Sequence, residues 1–120
     1  MDAMNKLVQK QKAESYSKTR RWSRFRVEVR VKVVLANHGA IYGQGSDISE
    51  GGMALFVPTE LVSGQTIEAE LMLPYCREKV MLRGVVRNRA DFRYGIEFAS
   101  LTDHEKVLIE RVCHALAIVQ

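Results

Sequence analysis

The chain has 120 residues, of which 47% are hydrophobic and 27% charged, an ordinary composition for one soluble globular domain with enough length to bury a core. No apolar run approaches the ~18 residues of a membrane helix, and the polar start lacks the apolar region of a secretory signal, so a cytoplasmic protein without membrane insertion is expected. The net charge of +4 is uneven: residues 1–34 hold ten Lys/Arg against three Asp/Glu, whereas residues 35–120 hold eight against eleven. A basic N-terminal arm on an acidic-leaning body indicates either an anionic partner or a soluble tail.

Residues 4–17 favour helix by propensity. Met4, Leu7, Val8 and Ala13 give them too little apolar surface for a stable helix alone. Residues 1–17 are therefore read as an arm, weakly helical or disordered, ahead of one domain over residues 18–120. From Arg26 the hydrophobic period becomes two. Val27, Val29, Val31 and Val33 alternate with Glu28, Arg30 and Lys32, which predicts a half-buried strand. Asn37-His38-Gly39 is the turn out of it.

A second strand is predicted over Ala40 to Ile48. Gly43 and Gly45 inside it mark a bulge, a bend or the close approach of another backbone. Gly51-Gly52 turns the chain into a short apolar strand, Met53 to Val57. A fourth strand carries Ile67, Ala69, Leu71 and Leu73 on one face, a fifth runs from Lys79 to Arg89, and a sixth from Arg93 to Phe98. Thr102 and Glu105 form a capping box. The helix it opens places Leu108, Val112, Ala115, Leu116 and Val119 on one face. Short strands with tight turns point to a barrel or a sandwich, covered by the final helix.

Signatures of catalysis are lacking. Gly43-Gln44-Gly45 fails the dinucleotide fingerprint because Ile48 stands where its third glycine belongs. There is no phosphate-binding loop of the GxxxxGK[ST] type, no HExxH and no GxSxG. Cys76 and Cys113 show no metal spacing and are read as reduced thiols. His38, His104 and His114 are scattered. No enzymatic role, metal or cofactor is expected.

Two stretches remain. Arg20, Arg21, Arg24 and Arg26 crowd around Trp22. Their planar forks suit phosphate oxygens and the acceptor edge of guanine, although a solvated basic segment has the same composition. Trp22 offers a flat face to a base or an arginine, and a lone tryptophan is equally a core residue. Asp47-Ile48-Ser49-Glu50-Gly51-Gly52 supplies a carboxylate suited to guanine donors, a hydroxyl and a flexible turn. Asp, Ser and Gly-Gly are also ordinary turn chemistry, with the glycines supplying positive φ.

Taken in order, Arg20-x-x-x-Arg24, a strand, and then Asp47-x-Ser49-x-x-Gly52 resemble the PilZ domain family, over about residues 18–118. Tyr94-Gly95-Ile96-Glu97-Phe98 before the closing helix fits the same pattern. The resemblance implies a mainly β fold, a six-stranded antiparallel β-barrel with a C-terminal amphipathic helix. It also implies a receptor for the bacterial second messenger cyclic di-GMP. Arg20 and Arg24 would hold its phosphates and the O6/N7 edges of guanine, with Arg21 assisting. Asp47 would accept from guanine N1 and N2, Ser49 would donate to phosphate or base, and Gly52 would permit the turn. Arg87 is the candidate for the cationic residue that the family often places in the fifth strand.

The ligand would draw the basic arm onto the barrel, carry Trp22 with it, and change the surface seen by a downstream protein. Two rivals stand beside this reading. One is a small barrel binding single-stranded nucleic acid, for which Tyr42, Phe56 and Phe92 are few and scattered. The other is an adaptor of the same fold that binds no ligand.

Overall fold

The computed structural model describes residues 22–36 and 39–120. The expected helix over 4–17, Arg20, Arg21 and the Asn37-His38 turn lie outside the described residues. The rest forms β1 (Phe25–Leu35), β2 (Gly39–Ile48), β3 (Gly52–Phe56), β4 (Thr66–Met72), β5 (Lys79–Ala90), β6 (Arg93–Phe98) and α1 (Asp103–Val119). Each element lies within two residues of its expected span. All neighbouring strands are antiparallel, in the order β1-β2-β3-β6-β5-β4, and β1 pairs with β4 to close the barrel. Closure removes the unpaired sheet edges that an open sheet of this size exposes.

The inward face follows the period-two pattern. Val27, Val31, Val33 and Leu35 of β1 are buried with Leu55, Leu82, Val86, Tyr94 and Ile96 from the other strands. Helix α1 begins at the Thr102/Glu105 capping box, with the Glu105 amide donating to Oγ1 of Thr102 at 3.1 Å and the Thr102 amide donating to Glu105 Oε1 at 2.9 Å. Its buried face is Leu108, Ile109, Val112, Cys113 and Leu116. This corrects the expected face. Val119 is exposed and Ala115 only half-buried, because the stripe against the barrel runs through Ile109 and Cys113 instead. Arg83 of β5 donates to the Ser100 carbonyl just ahead of α1 at 2.6 Å and to Glu105 Oε1 in its first turn at 3.5 Å. At the other end, the Gln120 carboxamide exchanges two hydrogen bonds with the Arg26 main chain, at 3.0 and 2.7 Å.

Cys113 is buried, and that burial, followed by the nearby Glu50 charge, pushes its thiol up to about 11. It is therefore protonated and unreactive at neutral pH. Alkylation of the native protein should be confined to the half-buried Cys76, read by mass spectrometry after brief treatment. Modification of Cys113 at the same rate would contradict its burial.

Tyr94 is fully buried, and its hydroxyl is used twice. It accepts from the Leu61 amide at 3.0 Å and donates to the Thr59 carbonyl at 2.9 Å. One phenol thus pins the β3–β4 connection to the barrel wall. Tyr94→Phe leaves two main-chain groups without that partner, so thermal unfolding should register a loss of about 1–3 kcal/mol. An unchanged melting temperature would show that the connection finds other partners.

Candidate functional site

The site is built on the outer face, and a β-bulge places its key carboxylate there. Along β2, Gly45 pairs with Leu55 of β3, but the next partners are Asp47 and Ala54. Ser46 is the extra residue. A bulge shifts the two-residue alternation by one, so Ile48 turns into the core and Asp47 turns out. Asp47 then faces Arg26 of β1 on one side and Ala54 of β3 on the other. The same row continues through Gly95 of β6 to Asn88 of β5. Its middle positions, Ala54 and Gly95, carry nothing larger than a methyl group, and taller neighbours cover them: Ala54 is 1% exposed, and the Asn88 side chain reaches over Gly95.

Asp47 collects two guanidinium groups on one oxygen. Arg93 Nη2 donates to Oδ2 at 2.9 Å, and Arg24 Nη1 lies 3.7 Å from the same atom. The Asp47 side chain is only 16% exposed. Its other oxygen, Oδ1, is buried and accepts no hydrogen bond among the described residues. Such an acceptor costs about 1–3 kcal/mol to leave unmade and stands out as a group awaiting a donor.

The turn after β2 is held by Ser49, which is buried. Its Oγ accepts from the amides of Gly51 and Gly52 at 3.2 Å each, and lies 3.3 Å from the Gly52 carbonyl, to which it donates. The Ser49 amide donates to that same carbonyl at 2.8 Å. In this arrangement the hydroxyl is occupied within the turn.

The two glycines have a different reason from the one expected. Neither takes a positive φ, and Gly52 is the first residue of β3, paired with Glu97 of β6. A Cβ on Gly52 would strike the Ile96 carbonyl, while one on Gly51 would strike the pyrrole edge of the Trp22 indole. Close approach, not positive φ, marks both positions: main chain of β6 stands over Gly52 and a side chain over Gly51. Trp22 is thus seated on the Asp47–Gly52 turn, with 42% of its surface still exposed.

Of the expected site residues, the structure brings together Arg24, Asp47, Ser49 and Gly52, with Trp22 on the same turn, while Arg20 and Arg21 lie outside the described residues. Arg87 is the extra residue of a second bulge, between Val86 and Asn88. Its Nε donates to Glu97 at 2.7 Å, with both side chains more than half exposed. Since Glu97 is the register partner of Gly52, this pair stands at the rim of the turn rather than on Asp47. Sequence reasoning missed Arg93 and Asn88. Arg93 alternates with inward Tyr94 and so had to face outward. Only the pairing of β6 with β3 sets it beside Asp47. The Asn88 carboxamide lies over Gly95.

The sequence matches the PilZ domain family over residues 18–115, and no curated protein sequence matches it. Solved structures share the fold. The PilZ domain of CeSA from a cellulose-synthesizing bacterium superposes with a TM-score of 0.64 at 18% identity, covering 79% of this chain and 98% of that one. Escherichia coli YcgR, solved in complex with c-di-GMP, gives 0.73 at 17% identity over 83% of this chain and 46% of that chain. The K. pneumonia MrkH–c-di-GMP complex gives 0.71 at 22% identity over 82% and 52%. The chain thus spans about half the length of the YcgR and MrkH chains. With the family pattern matched from the basic stretch to the last helix and the barrel closed in the same fold, this chain belongs to the PilZ domain family.

Proposed function

We propose that this domain is a receptor for cyclic di-GMP and acts by binding, not by catalysis. The observation that carries the reading is the Asp47 carboxylate, flanked by Arg24 and Arg93 with Oδ1 left unpaired. Guanine presents N–H donors on one edge and O6/N7 acceptors on another. A carboxylate and neighbouring guanidinium forks complement both, and cations offset the two phosphates. The c-di-GMP complexes of YcgR and MrkH, of the same fold, support the choice of ligand. Charge-assisted hydrogen bonds of ~1.5–3 kcal/mol each before ordering costs let a handful of contacts supply the ~8 kcal/mol net that micromolar binding needs.

In this reading Arg24, with Arg20 and Arg21 from the adjoining arm, grips phosphate and the guanine acceptor edge. Asp47 reads the donor edge. Ser49 and Gly52 shape the turn, and Arg87 borders it. The ligand orders the basic arm and thereby alters a surface for a downstream protein, an equilibrium biased by contacts made only in the bound state. Calorimetry with cyclic di-GMP, GTP and a short RNA tests the assignment. Saturable binding of cyclic di-GMP alone is expected. Preference for RNA with steep salt dependence would instead indicate a nucleic-acid-binding barrel.

Trp22 reports on the arm. Because its indole already rests on Gly51, a ligand that recruits Arg20 and Arg24 changes the surroundings of that ring. Its emission should shift on adding cyclic di-GMP, and trypsin cleavage after Arg20, Arg21 and Arg24 should slow. Identical emission and cleavage at saturation would remove the switch and leave the binding site.

A further inference from the structure

We propose that the cleft between the start of β1 and the end of β4 takes an extended, acidic segment of a partner protein, which adds to the open edge of β1 as a short strand. The inference goes beyond the receptor reading. It concerns the edge of β1 opposite to β2 and does not depend on a nucleotide.

Strand β1 runs from Phe25, yet its ladder with β4 covers only Val31–Val34 against Glu68–Leu71. Among the described residues no strand pairs with the part of β1 before Val31 on that side. Val27–Arg30 alone amount to roughly 14 Å of open edge. The opening holds a cleft of about 510 Å³, within the range of ligand-binding sites. Val27, Glu28 and Val29 all line it. Consecutive side chains of a strand point to opposite faces, so three in a row line one cleft only where the strand meets it edge-on, with its main chain.

Gln120 shows what this edge accepts. Its carboxamide receives the Arg26 amide at 3.0 Å and donates to the Arg26 carbonyl at 2.7 Å. Both main-chain groups of one residue thus exchange bonds with one amide, the pattern of a hydrogen-bonded pair in an antiparallel ladder. A side-chain amide stands in for a peptide group at the first position, and no counterpart to it follows along Val27–Arg30 among the described residues. Open strand edges are templates for pairing, and strand addition is a recurrent mode of peptide recognition. The lining also calls for cover. Val27, Leu73 and Leu116 are buried, but Met72, Tyr75 and Val119 are half or more exposed. The apolar stripe expected of α1 therefore runs on into the cleft, where alternate side chains of a guest strand would meet it.

Charge selects the guest. Its outward side chains would lie beside the exposed Arg26, Glu28 and Arg30 of β1, with Arg77 on the opposite wall. Opposite charges on neighbouring strands attract and like charges repel, so three cations against one carboxylate favour acidic residues. This disfavours residues 1–21 of the same chain, which carry six Lys/Arg against two Asp/Glu. It also disfavours a second copy, because antiparallel self-pairing of β1 about Glu28 sets Arg26 against Arg30 and Glu28 against itself.

The test uses the full chain, isotope-labelled and without nucleotide, and a blocked six-residue peptide alternating glutamate and valine. The peptide should bind saturably and shift the amide resonances of Val27–Arg30 and of the chain from Met72 to Arg77, while those of β6, across the barrel, stay in place. The same peptide with every amide N-methylated keeps its side chains but cannot pair as a strand, and it should bind about tenfold more weakly or worse. A version with lysine for glutamate should also bind more weakly, by about fivefold or more. Arg77→Glu, a change on an exposed turn, should weaken the glutamate peptide about two- to fivefold and leave the melting temperature unmoved. Equal binding of the N-methylated peptide would leave an apolar pocket without strand addition, and equal binding of the lysine peptide would remove the acidic partner; either overturns the inference. So would absence of saturable binding, the result expected if residues 1–21 fill the edge. Shifts of the same resonances with protein concentration alone would assign the edge to a second copy and overturn it too. None of these results bears on cyclic di-GMP binding, so the receptor reading is tested separately.

Discussion

Asp47→Asn is expected to weaken cyclic di-GMP binding by about 100-fold while moving the melting temperature little. Two effects add. The variant loses the negative charge that strengthens hydrogen bonds from guanine, and charge-assisted bonds are roughly twice as strong as neutral ones. It also puts an amide, half donor, against a donor edge, so one orientation of the group opposes the base. Stability is less affected because the side chains paired to Asp47 sit at or near the surface, Arg24 and Arg93 being 26% and 40% exposed. Exposed ion pairs contribute about 1 kcal/mol or less, and although Asp47 itself is 16% exposed, the Asn carbonyl can still accept from Arg93. Arg24→Ala should cost at least about tenfold in affinity for the complementary reason. Calorimetry paired with thermal melts separates the outcomes. A large loss of stability with binding preserved would mean that Asp47 serves the barrel and not a ligand.

The second large effect concerns the adjacent glycines, which should respond in opposite ways. In Gly52→Ala the new methyl meets the Ile96 carbonyl, whose carbon stands 3.1 Å away, and the Glu97 Cα at 3.3 Å. These are main-chain atoms of β6, held in the ladder with β3 and β5. They cannot retreat without breaking register, so a loss of about 1–3 kcal/mol is expected. That corresponds to a fall in melting temperature of roughly 10 °C. In Gly51→Ala the nearest atoms to the methyl belong to the Trp22 indole, a side chain 42% exposed and not a strand of the ladder. Its melting temperature should stay within a few degrees, while Trp22 emission changes even without ligand. Equal destabilisation by both substitutions would show that the turn is rigid throughout and that Trp22 is locked.

The different fates of these glycines mark the boundary between local and tertiary information. The Asp-x-Ser-x-x-Gly pattern announced a turn, and Ser49 does hold one. Which atoms stand over Gly51 and Gly52 depends on Trp22 and on β6, and β6 begins about forty residues later. Helix α1 teaches the same lesson. Its start was legible because a capping box is a contact between residues three apart. Its buried face was misassigned at Val119 because the barrel, and not the helix, decides where the stripe ends.

The alternation of valines in β1, the six short apolar runs and the capping box depend only on neighbours in the chain, so they fix element type and order. The same holds for the motif that identifies the family, in which residue types at set spacing carry the signal. The constellation around Asp47 has another origin. The Ser46 bulge that turns Asp47 outward exists only because β2 must match β3 in register. The approach of Arg93 exists only because β6 inserts beside β3. Hydrogen-bonded pairing between strands distant in sequence has no period to read along the chain. Three-dimensional closure of the barrel therefore decided which arginine holds the carboxylate and which of its oxygens stays unpaired.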